Sequence, residues 1–182
     1  MDELRELNRT VEALNKNEMK PSRKLGDVKE CVPCLYLPCE DGGTKLVLYF
    51  HGNAEDIGLA YDLLYMFGNE MKYHVLAVEY PGYGLYKTSK PDEIMMREDA
   101  DTVYDYLTQV VGIKEKDIIL FGRSMGSGPT SYLSSRKRPA SLLLMSPYMS
   151  IKDATKSLLG WASFLSVVVY ERFKNVELVA NA

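Results

Sequence analysis

Histidine is scarce in these 182 residues. There are two, His51 and His74, and no histidine occurs between His74 and residue 182. Cysteine is nearly as rare: Cys31, Cys34 and Cys39 lie close together, and a zinc site would need a fourth ligand from the two histidines. The flanking Val32, Leu35, Tyr36 and Leu37 read as strand, which turns neighbouring side chains to opposite faces. Reduced thiols are therefore expected, with no metal and no cofactor. Positive charge is not in excess. The formal net charge of −3 and a pI near 5.5 give no reason to expect a nucleic-acid partner. Long apolar runs are missing too: residues 158–170 are broken by Gly160, Ser163 and Ser166 and fall short of the ~20 residues that span a bilayer. Met1-Asp2-Glu3-Leu4-Arg5-Glu6 is too charged for a signal peptide, and residue 2 is not the glycine that myristoylation needs. A cytoplasmic location is expected, with peripheral membrane contact left open.

What is present suits one globular domain: 46% hydrophobic and 26% charged residues, with no internal repeat or low-complexity tract. Leu4, Leu7, Val11 and Leu14 recur at helical spacing within residues 3–17, and the polar stretch 16–26 around Pro21 reads as a linker. Residues 1–26 are thus expected to form an amphipathic helix and linker, and 27–182 the domain itself. Strand signals fall at residues 30–37, 45–50, 74–79, 117–121 and 141–145. Helical signals fall at 56–72, 92–111, 127–136 and within 151–173, with Asp92 as an N-cap. Short apolar strands alternating with helices imply a mostly parallel sheet covered on both faces.

Three motifs each follow a strand. Gly122-Arg123-Ser124-Met125-Gly126 has the form of a nucleophile elbow, in which a turn too tight for flanking Cβ atoms leaves the serine at its tip. Gly126 and Gly128 would let the next helix sit close to the sheet, and its N-terminal dipole favours developing negative charge at Ser124. Tyr49-Phe50-His51-Gly52-Asn53-Ala54-Glu55-Asp56 is the second motif. A tetrahedral oxyanion needs two preorganised N–H donors, each worth ~3 kcal/mol of barrier. The backbone N–H of Met125 suits one, and that of Asn53 or Ala54 the other. His51, at the strand end, suits holding this loop better than acting as a base. The third motif, Glu79-Tyr80-Pro81-Gly82-Tyr83-Gly84, shapes a turn at the carboxyl edge where open α/β sheets bind ligands. A plain turn accounts for it as well as substrate contact does.

Together these motifs, with Ser127-Gly128-Pro129 and Ser146-Pro147, closely resemble the α/β-hydrolase fold. More narrowly they are similar to the group that includes protein depalmitoylases and serine-aminopeptidase-like hydrolases. The resemblance runs from about residue 32 to about residue 173. It implies Ser124 as nucleophile, with oxyanion donors at Met125 and at Asn53 or Ala54. It implies substrate contacts around His51, Gly52, Tyr80 and Tyr83, and substrates that are small acyl esters or thioesters, or acylated proteins.

One departure stands out. In this fold the triad runs Ser, then Asp or Glu, then His. Here no histidine follows Ser124, and Asp153, if it were the acid, would have none to orient. The expectation is a C-terminally truncated hydrolase domain without the last strands, weakly active or inactive as this chain. Strand 141–145 would then be an exposed edge prone to self-association. The alternative is a non-catalytic hydrolase-like binding protein that uses the preserved cleft or that edge. A site completed by a second chain would need that chain's histidine.

Overall fold

The computed structural model describes residues 31–86, 92–147 and 175–179. The helix expected at 3–17, the linker at 16–26 and the helix within 151–173, with Asp153, lie outside them.

Five strands form one sheet: β1 (Cys34–Leu37), β2 (Leu46–Phe50), β3 (His74–Val78), β4 (Ile118–Arg123) and β5 (Ser141–Met145), in the order β1-β3-β2-β4-β5. β1 runs antiparallel to β3, and the other pairs are parallel. All five expected strands are present. The register aligns Phe50 with Val78 and with Gly122, and Arg123 with Met145. The loops after β2, β3, β4 and β5 therefore leave from one carboxyl edge.

Period-two alternation divides the central strands between two cores. Leu46, Leu48 and Phe50 of β2 and Ile118 and Leu120 of β4 face one side, with Met96, Ala100, Val103 and Leu133. Val47, Tyr49, Ile119 and Phe121 face the other, with Leu64 and Ala60. The helices that cover these faces are α1 (Tyr61–Met71) on the second, and α2 (Glu93–Asp105) and α3 (Ser127–Ser134) on the first. A short helix, α4 (Asn175–Val179), packs on α3.

Asp92 caps α2 as its sequence position suggests, its Oδ1 accepting from the N–H groups of Ile94 at 2.9 Å and Met95 at 3.1 Å. That helix passes into a π turn over Tyr106–Val110 before Gly112, at φ 84°, ends it. α1 starts five residues later than the periodicity suggests. Asp56 Oδ1 accepts from Leu59 N at 2.8 Å and its carbonyl from Ala60 N at 3.1 Å, so residues 56–60 make a side-chain-closed turn first.

Candidate active site

The strand–turn–helix around Ser124 is built by its glycines. β4 continues to Arg123, residues Ser124–Gly126 make a single 3₁₀ turn, and α3 follows at once. Ser124 sits at φ 48°, in the left-handed region that a non-glycine residue rarely adopts. A Cβ on Gly126 would lie 2.0 Å from the carbonyl oxygen of Phe50 and 2.9 Å from that of His51. A Cβ on Gly122 would lie 2.4 Å from Thr130 Oγ1 and 2.5 Å from Gly126 O. The elbow thus presses flush against the end of β2, and only glycine permits it.

The conformation is tied from behind. Ser127 Oγ donates to the carbonyl of Ser124 at 2.6 Å, and the buried Asn175 donates from Nδ2 to Ser127 Oγ at 2.8 Å. Thr130 Oγ1 donates to Gly126 O at 2.8 Å. Ser124 and Met125 remain half-buried, open to one side.

Facing them is the loop after β2. Asn53 and Ala54 are exposed, and Ala54 also takes a left-handed conformation at φ 59°. Glu55 lies beneath: its Oε1 accepts from Gly52 N at 2.7 Å and from the Tyr49 hydroxyl at 3.2 Å, while its Oε2 pairs with the Arg123 guanidinium. Burial and the Glu55 carboxylate both push the Tyr49 hydroxyl to a higher pKa, which keeps it a donor. The turn after β3 reaches across, with the Tyr83 hydroxyl donating to Asn53 Oδ1 at 2.6 Å and lying 3.9 Å from Met125 Sδ. Burial, then the nearby Glu79, raises the Tyr83 pKa in the same sense.

His51 and Tyr80 lie deeper. His51 is fully buried, with Nε2 2.8 Å from Glu79 Oε1 and Nδ1 2.8 Å from Gly52 O. The Tyr80 ring packs against the imidazole with centroids 4.0 Å apart and a tilt of 31°, and its hydroxyl donates to the His51 carbonyl at 2.8 Å. Glu79 is likewise fully buried and also accepts from Tyr80 N and Ile57 N. Both ring nitrogens of His51 are engaged, so this ring has no nitrogen open to Ser124.

The structure thus brings Ser124, Met125, Asn53, Ala54, Gly52 and Tyr83 to one edge, with His51 and Tyr80 packed under them. Sequence reasoning gave no role to Glu55, Glu79 or Asn175. A glutamate closing a buried strand needs a partner, so Glu79 had a legible signal; Asn175 had none. A cleft of about 660 Å³ opens beside the loop, with Leu35, Ile57, Leu85, Asp56 and Glu79 in its walls. Among the described residues, no group of three His, Cys, Asp or Glu is placed to hold a metal ion. Among those residues, too, no helix is long and apolar enough to cross a membrane. Cys31 and Cys34 are exposed and Cys39 is buried, all three as free thiols.

A family described as serine aminopeptidase, S33, matches residues 43–179, which take in the whole of this edge. The chain belongs to this family of α/β-hydrolases. It is 33% identical over 120 residues to alpha/beta hydrolase domain-containing protein 17C of Xenopus tropicalis, covering 66% of this chain and 38% of that protein. It is 38% identical over 104 residues to alpha/beta hydrolase domain-containing protein aho-3 of Caenorhabditis elegans, covering 57% of this chain and 31% of that protein. The chain therefore spans less than two fifths of the length of these curated relatives. Its fold is similar to the crystal structure of an alpha-beta hydrolase from Vibrio vulnificus, with a TM-score of 0.65 at 22% identity over 96% of this chain and 72% of that one. The described residues form part of that fold: the mostly parallel sheet and its flanking helices.

Proposed function

We propose that these residues form the nucleophile half of a serine hydrolase acting on carboxylic esters or thioesters, with acylated proteins among its substrates. Ser124 is the nucleophile, and the backbone N–H of Met125 with that of Asn53 or Ala54 forms the oxyanion hole. The observation that carries the reading is the left-handed Ser124 at the tip of a turn that both flanking glycines alone permit. Backbone strain of this kind, of order 1–3 kcal/mol, persists where the surroundings over-determine it, and it clusters at active sites. The substrate class rests on the resemblance of the three motifs to depalmitoylases and related hydrolases.

Neither histidine of this sequence is open to activate Ser124, because each ring's nitrogens are already engaged. A hydroxyl without a base is a weak nucleophile. Residues 1–182 alone are therefore expected to turn over slowly, by the ~10³–10⁴-fold that an oxyanion hole and binding leave behind when a triad is removed.

The same engagement of both histidines favours a second reading, a hydrolase-like binding protein. β5 has β4 on one side and, among the described residues, no strand on the other, so self-association through this edge belongs to that reading. A fluorophosphonate probe decides between them: the Ser124 oxygen bonds to phosphorus as the P–F bond breaks, fluoride leaves and the hydroxyl proton passes to water. Labelling abolished by Ser124→Ala supports the enzyme; folded protein that takes no label overturns it.

A further inference from the structure

The exposed loop 53–54 has to keep its amides in register with an elbow on a different strand, and one side chain joins the two. Glu55 is mostly buried, with 14% of its side chain exposed. One carboxylate oxygen holds the loop, through Gly52 N–H at 2.7 Å, and the end of β2, through the Tyr49 hydroxyl at 3.2 Å. The other oxygen holds Arg123, the residue that immediately precedes Ser124. Loop and elbow also lie close along the backbone, since a Cβ on Gly52 would lie 3.7 Å from Arg123 O.

We propose that Glu55 is a positioning residue that sets the distance between the two oxyanion donors; this rests on the reading of Ser124 as nucleophile. The carboxylate does two things, and a neutral side chain could do only the first. It occupies the Gly52 N–H, so that amide is withdrawn and the next ones, at Asn53 and Ala54, are left to face the elbow. It also draws the Arg123 guanidinium down against itself, which fixes the residue before Ser124. The pairing has an electrostatic side. A bare carboxylate this close to a developing oxyanion would oppose it, and the Arg123 cation cancels that charge where it arises. Tyr83 steadies the loop from the other flank through Asn53 Oδ1, but it does not reach the residue before the nucleophile.

The test is the rate of fluorophosphonate labelling at Ser124 per folded molecule in the full chain, read beside amide hydrogen exchange over residues 52–54. In Glu55→Ala, labelling is expected to slow about tenfold or more, within the ~100-fold that a misplacement of about 1 Å costs, and the three amides should exchange faster. Glu55→Gln keeps an acceptor for Gly52 N–H but offers Arg123 no charge, and should fall between wild type and Glu55→Ala. A role confined to stability would lower the folded fraction and leave the per-molecule rate alone, and that result overturns the proposal. Should Glu55→Ala fail to fold, Glu55→Gln decides, and a rate equal to wild type overturns it. Wild type that takes no label removes the nucleophile itself and this role with it; labelled wild type with unaffected variants removes only this role.

Discussion

His51 and His74 stand at opposite ends of neighbouring parallel strands, one directly after β2 and the other opening β3. Both rings are buried and every nitrogen is engaged. Their partners differ. His74 meets only neutral groups: Nε2 lies 3.1 Å from Gly43 O, and Nδ1 lies 3.1 Å from Cys39 N and 2.9 Å from the Tyr36 hydroxyl. That set requires a neutral ring with its proton on Nε2. His51 meets a buried carboxylate, Glu79, and through it the turn that carries Tyr83. The amino end thus uses a histidine to fasten one connection, whereas the carboxyl end uses a charged partner to fasten two loops to each other. Strain divides the same way. Of the described non-glycine residues with left-handed φ, Ala54, Ser124 and Ser146 follow strands at the carboxyl end; Lys72 is a helix C-cap at the other. The carboxyl end is held in an unfavourable shape, and its pairings are what hold it.

The largest expected effect is at the elbow. In Gly126→Ala the new Cβ meets backbone, 2.0 Å from Phe50 O, and no side-chain rotation can relieve it. A loss of about 4 kcal/mol or more in urea unfolding is expected, beyond ordinary overpacking. Gly112→Ala is the control. It has nothing within 4 Å, though its φ of 84° disfavours alanine, so a loss of about 1–2 kcal/mol is expected. Equal losses would break the contrast between a packed elbow and an open turn.

Replacing each histidine by phenylalanine tests the contrast directly. His51→Phe removes the side-chain partner of the buried Glu79 carboxylate and leaves it the N–H groups of Tyr80 and Ile57, an expected loss of about 3–5 kcal/mol. His74→Phe leaves Cys39 N–H and Gly43 O without a hydrogen bond, an expected loss of about 1–3 kcal/mol. If His74→Phe proves the more damaging in urea titrations, the assignment of charged and neutral partners is wrong.

The neutral ring also predicts a pH dependence. Burial lowers the His74 pKa below its ordinary 6.5, against a smaller opposing effect of the Gly43 carbonyl. Below pH 6.5 the unfolded chain takes up a proton that the folded chain resists. The stability linked to this group is therefore complete above pH 6.5 and is lost as pH falls toward the lower, folded-state pKa. Urea midpoints for wild type and a folded His74→Gln variant should converge as pH drops from 7 to 5. Parallel curves would show that His74 does not titrate across folding.

These contrasts also show where the sequence was readable. The five strands were legible because each is a short apolar run whose alternate residues fill two cores. The turn at Ser124 was legible because glycines at 122 and 126 flank the serine between a strand and a helix, where a Cβ would meet backbone. The fold and the family followed from the three motifs together. The start of α1 was not legible, because Asp56 could cap a helix or close a turn, and here it closes a turn through Leu59 N–H. Glu55 and Glu79 stood in plain view within the motifs, but Arg123 and His51, which pair with them, lie 68 and 28 residues away and depend on strand register. Asn175 reaches Ser127 across 48 residues from a segment with no local signal.

The smallest expected effect is a matched pair of substitutions to glycine. Ala54 and Lys72 have nearly the same backbone angle, φ 59° and φ 58°. Glycine relieves about 1–2 kcal/mol of left-handed strain at either position, and loses about 0.4–1 kcal/mol through the freer unfolded chain. A net gain of about 0.5 kcal/mol is expected at both sites, since the Lys72–Asp41 ion pair is well exposed and contributes little. The two should differ in hydrogen exchange. At Lys72 the helix cap, whose N–H bonds to Gly68 O, keeps its protection. At Ala54 the loop has no backbone ladder, so a glycine there should speed exchange at Asn53 and at position 54 without lowering the urea midpoint. If exchange is unchanged at position 54, the loop is held entirely by Glu55 and Tyr83, and the strain at Ala54 is a consequence of that grip and not part of it.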